Sequence, residues 1–376
     1  MNPVGIQCEP VPVLDLGAQY RTIEHDINAA IRRVLESQHF ILGLEVKALE
    51  QEVAVYCGRK FGIGVASGTD ALTLALCACG MGPGDEVIVP SFTFIATADC
   101  VSLLGATPVF ADIEPDTFSI DPAQIARKIT ARTKAIIPVH LYGQSADMDP
   151  ILELARAHKL RVIEDTAQAI GATYKGRKTA SMGDVGCLSF FPSKNLGGYG
   201  DGGMVVTDSE EIAKQLRSLR AHGTTKKYFS VRQGWNSRLD ELQAAILRVK
   251  LAHLDDWSTG RRARAAYYDR LLQDVPAIKR PKTEAGREHV FHQYTVRVPR
   301  REVVSKFLND RGIGNTVYYP VPIHLQPIYE SLGYKQGDLP ETERACNEVL
   351  SLPIYPELTN SQVELVVAAL AEAVLS

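Results

Sequence analysis

The sequence predicts an α/β fold in which a parallel sheet is wound with helices. Between about Gly62 and Val206, short β-branched runs alternate with longer helical patterns, which is typical of such a sheet. The chain has 376 residues, 45% of them hydrophobic, so it can bury a large core and form two domains or one large domain with an appendage. Beyond Asp208 the pattern changes to a basic helix, a loop and a long helical stretch from about Asp240 to Leu272. We interpret this stretch as the connection to a second, smaller α+β domain.

Turn and cap residues separate the predicted elements of the first part. The apolar helix that contains Ala71 should stop at Gly80, because glycine readily takes the left-handed conformation that ends helices. The run Pro83–Asp85 is a turn, and Asp121 followed by Pro122 is a helix N-cap with proline at the first helical position. The predicted strands are 86–90, 107–111 and 160–165, and the predicted helices include 91–104 and 147–159.

The charge balance argues against nucleic acid or an anionic membrane as the partner. Lysine and arginine number 41 against 44 aspartate and glutamate, which gives a formal net charge of −3. A field of that size attracts neither kind of polyanion strongly. Any anion that the protein binds must therefore be held by local groups.

The cysteines and the N-terminus favour a cytoplasmic location. Seven cysteines are scattered through the chain without a CxxC pair or the histidine spacing of a zinc site, so we expect mostly reduced core thiols and no metal. They are Cys8, Cys57, Cys77, Cys79, Cys100, Cys187 and Cys346. The N-terminus lacks the basic segment and apolar run of a signal peptide, and no stretch is long and uncharged enough to span a bilayer.

Lys194 is the first candidate for chemistry. It lies between an aromatic and proline stretch that begins at Ser189 and a run of glycines that ends at Gly203. A lysine with its stem in apolar surroundings loses its proton more easily, and only the neutral amine attacks an aldehyde. Taken alone, a lysine in a glycine-rich loop is more often a solvated surface residue.

Asp165 supplies a carboxylate where a predicted buried strand ends, and Gln168 follows three residues later. The carboxyl ends of strands are where open α/β sheets bind ligands. A buried anionic aspartate facing a ring nitrogen would keep that nitrogen protonated and make the ring an electron sink. The alternative interpretation is that Asp165 only caps the next helix.

The segment Ser67–Asp70 offers free backbone N–H groups and hydroxyls at a helix N-terminus, a natural seat for a phosphate. Any helix start would use similar residues. Phe92 is a candidate for stacking on a ring, although an aromatic just after a buried strand is more often core. Asn236 could donate to a phosphate or simply form a turn.

These motifs occur in the same order, and with nearly the same residues, as in one protein family. The chain resembles the DegT/DnrJ/EryC1/StrS sugar aminotransferases over nearly its whole length, and the agreement makes the surface interpretation of Lys194 improbable. The matching segments are Phe40–Gly43, Ser67–Ala71, Gly82–Ile88, Pro138–Gly143, Glu164–Asp165 with Gln168, Ser189–Gly197, Arg220–Gly223, Asn236–Asp240 and Gly337–Pro340.

The resemblance implies the fold type I architecture of pyridoxal-phosphate-dependent transferases, like that of aspartate aminotransferase. We expect a large domain over residues 1–250 with a mostly parallel seven-stranded sheet, and a smaller α+β C-terminal domain over residues 251–376. The N-terminal segment is a candidate for packing on the small domain.

The resemblance also assigns cofactor-binding roles. Lys194 matches the lysine that forms a Schiff base with pyridoxal 5'-phosphate, Asp165 the partner of the pyridine nitrogen, and Gln168 the residue near the ring hydroxyl. The phosphate-binding positions correspond to Gly68, Thr69 and Ser189.

Other positions carry over toward the partner subunit and the substrate. Asn236 matches a residue that the family supplies from the neighbouring subunit, which implies a homodimer with a shared active site. Phe92 lies where the family stacks an aromatic on the ring. Arg238, His324 and Tyr319 lie in segments that resemble the sugar-nucleotide pocket, although His324 has an equally good interpretation as a structural histidine.

The implied activity is the ping-pong transfer of an amino group from an amino acid to a nucleotide-linked keto-sugar. Lys194 would serve both as anchor of the cofactor and as proton shuttle. The resemblance implies L-glutamate as donor, with glutamine used by some members. The sequence around Lys194 and Asn236 resembles that of members that aminate C3 more closely than that of members that aminate C4.

Three alternatives stay open on the sequence: a 4-keto-sugar aminotransferase, a cofactor-dependent sugar dehydratase, and a non-catalytic regulatory or binding member. The dehydratases carry histidine in place of the lysine, so Lys194 argues against that class. Intact Lys194, Asp165 and Gln168 argue for catalysis, because a binding protein does not need these three residues.

Overall fold

A seven-stranded sheet forms the centre of the protein, whose computed structural model describes residues 10–375. The strands in chain order are β1 Phe61–Val65, β2 Glu86–Pro90, β3 Thr107–Ala111, β4 Thr133–Ile136, β5 Arg161–Asp165, β6 Thr173–Tyr174, β7 Arg177–Lys178, β8 Val185–Ser189, β9 Gly203–Thr207, β10 Thr224–Lys226, β11 Phe229–Ser230, β12 Arg287–Glu288, β13 Tyr294–Arg297 and β14 Val349–Leu352. The order in the large sheet is β1-β9-β8-β5-β4-β2-β3. In this sheet β9 runs opposite to the other six strands, so the expected mostly parallel seven-stranded sheet is confirmed.

Helices cover both faces of this sheet. In chain order the α-helices are α1 Leu16–Ser37, α2 Leu44–Tyr56, α3 Gly68–Ala78, α4 Ala96–Ser102, α5 Pro122–Lys128, α6 Met148–His158, α7 Glu210–Leu219, α8 Glu241–Leu251, α9 Leu254–Leu271, α10 Arg301–Asn309, α11 Pro340–Glu348 and α12 Asn360–Leu375. Because side chains alternate across a strand, Val87 and Val89 of β2 join the core under α3, α4 and α7, while Ile88 joins the core under α5 and α6.

Most predicted boundaries in the first part are confirmed. Strands β2 and β3 have the predicted bounds, β5 begins one residue later than predicted, and Asp121 caps α5 by accepting a 2.8 Å hydrogen bond from the Ala123 N–H. Gly80 follows α3 with a φ of +83°, as a helix-ending glycine should.

The helix predicted from Ser91 to Leu104 is too long, because α4 begins only at Ala96. The Ser91 N–H still bonds to the Ala111 carbonyl of β3, and its hydroxyl bonds to His324 at 2.7 Å. These tertiary contacts hold the segment out of helical geometry.

The long helical stretch predicted from Asp240 to Leu272 is two helices, α8 and α9, which break near His253. The break lets α8 pack against α1 and α2, and α9 against α12. A separate hydrophobic core lies in the C-terminal part, built from residues between 265 and 374 together with Val11 of the N-terminal segment. A domain boundary at residue 250 stays a prediction.

The cysteines within residues 10–375 are all unpaired thiols. Cys57, Cys100, Cys187 and Cys346 are buried, and burial raises the pKa of the Cys57 and Cys346 thiols to about 12. Cys8 lies outside the described residues. Among the helices that the structure describes, none has the length and apolar character that crossing a bilayer requires.

The start of α3 and the start of β9 approach each other closely. A Cβ atom built on Gly203 would lie 2.3 Å from the carbonyl oxygen of Ser67, the residue that caps α3. Only glycine at position 203 allows the two backbones to lie this close.

We predict that Gly203→Ala destabilises the fold, whereas Gly82→Ala does not. The extra methyl group at position 203 forces β9 away from Ser67 and should lower the free energy of unfolding by about 1–3 kcal/mol. A Cβ on Gly82 would meet no atom within 4 Å, and its φ is not positive, so it is the matched control. Urea unfolding measures both variants, and equal stability of the two would contradict the close approach.

Candidate active site

A cavity of about 440 Å³ lies where β5 and β8 end and α3 begins. Its wall includes Asp165 and Ser189, the last residues of those two strands, and Gly68 and Thr69 of the first turn of α3. Open α/β sheets bind their ligands at this edge. The cavity is therefore the candidate active site, and it brings together most of the residues that the sequence singled out.

Lys194 lies in the loop between β8 and β9 and lines the cavity. Its backbone N–H donates to the Phe191 carbonyl at 2.8 Å, which turns the chain so that the side chain can enter the cavity. Burial lowers the pKa of the Lys194 ammonium to about 8, while the nearby carboxylate of Asp165 raises it. An amine with this pKa is partly neutral near physiological pH and can act as a nucleophile or a base.

Asp165 is buried at the end of β5, and both of its carboxylate oxygens are bonded. Oδ1 accepts from the Ala167 N–H at 3.1 Å, and Oδ2 accepts from the Thr97 hydroxyl at 2.9 Å. Burial raises the pKa of Asp165, although these two hydrogen bonds and the charge of Lys194 lower it. The alternative that Asp165 caps a helix is wrong, because residues 166–172 form turns and no helix begins there.

A second carboxylate, Glu164, is buried on the other side of β5. Its oxygens accept backbone hydrogen bonds of 2.6–2.9 Å from the loop 180–183, and one oxygen is 2.9 Å from His140 Nε2. The Ala146 N–H donates to His140 Nδ1, so the ring proton must lie on Nε2 and be donated to Glu164. Burial raises the pKa of Glu164, but the His140 hydrogen bond and its other partners outweigh burial and leave the pKa below its usual value.

His140 and Thr97 are residues of this site that sequence reasoning missed. The His140 backbone N–H also donates to the Asp165 backbone carbonyl at 3.0 Å, so His140 contacts the Glu164 carboxylate with its ring and the Asp165 main chain with its own main chain. The only sequence signal was the position of His140 within the matching segment Pro138–Gly143. Thr97 had no signal, because its bond to Asp165 spans 68 residues.

Gln168 lies on the wall of the cavity, and its orientation is fixed by two partners. Its Oε1 accepts from the Tyr142 backbone N–H at 2.7 Å, so the amide nitrogen is the group that bonds to the Tyr319 hydroxyl at 3.0 Å. Tyr319 comes from the C-terminal part of the chain and also lines the cavity. The structure thus joins Tyr319 to the residues near Lys194.

The first turn of α3 forms one end of the cavity. Ser67 caps the helix by accepting from the Asp70 N–H at 3.0 Å, and the N–H groups of Gly68 and Thr69, the first two residues of α3, have no acceptor within the helix. A Cβ on Gly68 would lie 2.6 Å from the Cβ of Ser189, so only glycine fits beside that serine. Gly68, Thr69 and Ser189 lie together on the wall, as an anion seat at a helix N-terminus requires.

Phe92 does not line the cavity. It is 1% exposed and packs against Phe118, Tyr142 and Tyr319. Phe94, two residues later and 55% exposed, lies on the cavity wall instead. The core interpretation of Phe92 describes its position, whereas Phe94 lines the cavity together with Phe191, Tyr318 and Tyr319.

Asn236 and Arg238 lie outside this cavity. They line a neighbouring surface cavity of about 370 Å³, whose wall also includes Ile41 and Asp201. Asp201 lies on the walls of both cavities. The Asn236 side chain is exposed, so within one chain it does not complete the site around Lys194.

His324 also lies outside the cavity and is 1% exposed. Its Nδ1 is 2.7 Å from the Ser91 hydroxyl, and its Nε2 is 3.3 Å from a carboxylate oxygen of Glu343. This bridge between the segment after β2 and helix α11 matches the structural interpretation of His324.

The charges on the cavity wall are few. Among the described residues that line it, Lys194 is the only lysine or arginine, while Asp165 and Asp201 are acidic. His292 lies on the wall but is neutral, because burial and the charge of Lys194 hold its pKa well below the usual value. Residues 10–375 also contain no cluster of histidine, cysteine, aspartate or glutamate placed to hold a metal ion.

The chain is similar to known proteins over nearly its whole length. The chain is 53% identical to a Geobacillus stearothermophilus protein named pleiotropic regulatory protein, with 96% of this chain and 98% of that protein covered. It is 49% identical to the UDP-N-acetyl-3-dehydro-alpha-D-glucosamine 3-aminotransferase of Acidithiobacillus ferrooxidans, covering 94% of this chain and 95% of the relative.

A solved structure, that of DesV from Streptomyces venezuelae in complex with a ketimine intermediate, superposes with a TM-score of 0.95 at 48% identity. The alignment covers 97% of this chain and 98% of DesV. The sequence profile of the DegT/DnrJ/EryC1/StrS aminotransferase family matches residues 21–371. The protein therefore belongs to the DegT/DnrJ/EryC1/StrS aminotransferase family.

Proposed function

We propose that this protein is a pyridoxal-phosphate-dependent aminotransferase that converts a nucleotide-linked 3-keto-sugar to the 3-amino-sugar, with L-glutamate as the amino donor. The observation that carries the proposal is a lysine amine of lowered pKa, Lys194, in one cavity with the buried carboxylate of Asp165. The preference for C3 rests on the 49% identity to a relative that is named for 3-amination.

The residues of the cavity fit pyridoxal phosphate. The N–H groups at the start of α3, with Thr69 and Ser189, would hold the phosphate, and Phe94 would cover the ring. Asp165 would face the pyridine nitrogen, and Gln168 the ring oxygen. When bound, this cofactor supplies an aldehyde carbon that carries the amino group and a ring that accepts electrons from the donor's α-carbon.

The environment of Asp165 leaves room for a further positive charge to stabilise its carboxylate. Its raised pKa shows that two hydrogen bonds and Lys194 do not fully offset its burial. A protonated ring nitrogen would supply the missing positive charge. Asp165 would in turn hold the proton on that nitrogen, because a buried ion pair favours both charged forms.

Lys194 would act at a single atom, Nζ. With a pKa of about 8, a useful fraction of this amine is neutral at neutral pH and can accept the proton from the α-carbon of the donor. The same Nζ, once protonated, would deliver that proton to the cofactor carbon that carries the amino group. A pKa near the working pH suits both directions, which a reversible transfer needs.

Tyr319 and Gln168 would orient the ligand. The Gln168 amide donates to the Tyr319 oxygen, so the hydroxyl proton of Tyr319 is left to donate to another acceptor. Tyr319 lines the cavity, where a sugar hydroxyl or the ring oxygen is the available acceptor. We therefore keep Tyr319 as a substrate-binding candidate.

We further propose that the active unit is a homodimer with a shared site. The cofactor phosphate, the sugar diphosphate and the donor carboxylates are all anionic, but Lys194 is the only lysine or arginine among the described residues that line the cavity. Asn236 and Arg238 line the neighbouring surface cavity together with Ile41, which belongs to an exposed apolar stretch of the chain that also contains Phe40 and Leu44. A second copy that covers this apolar patch could exchange these polar groups between the two sites.

A regulatory role is the second candidate, because the relative with 53% identity is named a pleiotropic regulatory protein. A pure binding protein would have no need for an amine of lowered pKa next to a buried carboxylate. We therefore rank catalysis first. The two are separated by whether Lys194→Ala abolishes turnover or leaves binding of a partner intact.

We predict that the purified protein with glutamate aminates 3-keto but not 4-keto nucleotide sugars, as read by mass spectrometry. Lys194→Ala should lower turnover by about a thousandfold or more, because both the anchor and the proton carrier are lost. Amination of the 4-keto compounds alone would refute the C3 assignment, and full activity of the alanine variant would refute the role of Lys194.

We predict that Lys194 in cofactor-free protein reacts with acetic anhydride with a midpoint near pH 8, well below that of an ordinary lysine at about 10.4. Only the neutral amine reacts, so labelling should rise with pH and level off near pH 9. The exposed Lys214 serves as internal reference.

Asp165→Asn should move this midpoint to lower pH, because the variant loses the charge that raises the Lys194 pKa. Labelling that keeps rising to pH 10 without a plateau would contradict the lowered pKa. An unchanged midpoint in Asp165→Asn would contradict the electrostatic coupling of the two residues.

We predict that two inactive variants restore activity when mixed. One carries Lys194→Ala, and the other carries Asn236→Ala with Arg238→Ala. In a mixed dimer one site keeps Lys194 from one chain and the polar pair from the other, so co-refolding should recover about a quarter of wild-type activity. Size-exclusion chromatography checks that each variant still dimerises. No recovery from fully dimeric variants would exclude a shared site.

A further inference from the structure

Lys250 is a buried lysine outside the candidate active site. It lies in the last turn of α8, and the whole residue is 1% exposed. Its Nζ donates a 2.7 Å hydrogen bond to the Gly197 carbonyl and lies 4.4 Å from the centre of the Tyr199 ring. Among residues 10–375, Lys250 forms no ion pair. Its ammonium is stabilised instead by the Gly197 carbonyl, the face of the Tyr199 ring and the C-terminal end of α8.

Both contacts are made to the loop that carries Lys194. Gly197 and Tyr199 follow Lys194 by three and five residues, in a stretch between β8 and β9 that includes Gly198, Gly200 and Gly202. Glycine restricts the backbone least of all residues, so this loop has little stiffness of its own. It needs outside contacts to keep one conformation.

Helix α8 forms hydrogen bonds to the loop at two places. Besides the Lys250 contact, the Tyr199 N–H donates to Oε1 of Gln243, which lies about two turns earlier on the same helix, at 2.8 Å. The ring of Tyr20 from α1 lies edge-on to the Tyr199 ring, with 6.3 Å between the ring centres. Tyr199 thus contacts both α1 and α8, and Lys250 ties the Gly197 carbonyl to α8.

The buried ammonium of Lys250 destabilises the fold relative to an apolar side chain at this position. Burial lowers its pKa to about 8, which means that the fold disfavours its charge. An apolar side chain of similar length would fill the space without that penalty. Such a charge in the core, bonded to one loop, indicates a requirement at the loop and not a requirement of packing.

We propose that Lys250 is a positioning residue that fixes the backbone of the Lys194 loop while the Lys194 side chain moves. The inference rests on the proposed role of Lys194, whose Nζ must reach different atoms during one turnover. The Lys194 Nζ reaches these atoms reproducibly only if the main chain of the loop does not shift. Hydrogen bonding from Lys250 to Gly197 gives the loop that fixed point.

Hydrogen exchange of the cofactor-free protein tests the proposal directly. Lys250→Met keeps an unbranched side chain that is shorter by one atom, and it removes the charge and the donors. We expect amides of residues 194–203, such as that of Gly198, to exchange at least tenfold faster in this variant. Lys250→Arg should restore protection, and Lys214→Met, an exposed change on α7, should leave it unchanged. Loop exchange within twofold of wild type in Lys250→Met would overturn the proposal.

A second measurement separates positioning from a merely structural role. Since the buried charge opposes folding, Lys250→Met should melt at the same temperature as wild type or higher, while kcat falls and KM for glutamate stays within about twofold. A lower melting temperature, with faster exchange spread equally over α8 and β8, would show that Lys250 only supports packing and would overturn the proposal.

The outcome for Lys250 is distinguishable from the outcome for the proposed function. If borohydride reduction links no pyridoxal phosphate to wild-type Lys194, the proposed function fails. The exchange experiment uses protein without cofactor, so it still decides whether Lys250 holds the loop.

Discussion

The end of strand β5 imposes the constraint on which the site depends. Glu164 and Asp165 are consecutive, so their side chains point to opposite faces of the sheet, and both are buried. A buried carboxylate is tolerated only when its oxygens find donors. Glu164 finds them in the loop 180–183 and His140, and Asp165 finds them in Thr97 and Ala167. Satisfying these two residues fixes the floor of the cavity and joins four separate segments of the chain.

The proposed role of Lys194 requires a side chain that moves on a backbone that stays fixed. The neighbouring Asn195 bonds to the Val290 carbonyl and to His292. The loop is therefore held by residues 290–292 as well as by α8, although its glycines would otherwise leave it loose. A reaction in which one amine forms and breaks a covalent bond and also carries a proton requires this division between a free side chain and a fixed main chain.

One chain supplies the reactive groups but not the charges for its ligands. The cavity carries one lysine and two acids on its described wall, and Asn236 and Arg238 lie just outside it. This imbalance is a physical reason to expect a second copy, independent of what any relative does. The relative named as a regulatory protein does not change this proposal, because the residues that we propose for catalysis line one cavity with Lys194 in this chain.

The sequence by itself determined the α/β class, the bounds of β2 and β3, the cap at Asp121 and the stop at Gly80, because these depend on local periodicity and on the conformations of single residues. It also pointed to Lys194, Asp165, Gln168, Gly68, Thr69 and Ser189, which the fold brings to one cavity.

Only the tertiary structure decided that Phe94 and not Phe92 lines the cavity, that His324 bridges Ser91 and Glu343, and that residues 91–95 are not helical. It also decided that His140 bonds to Glu164, Thr97 to Asp165, and Lys250 to the loop that carries Lys194. Those outcomes depend on contacts between residues far apart in the chain. A local pattern carries no record of such partners, and burial, which sets the pKa values of Lys194 and Asp165, exists only once the whole chain has folded.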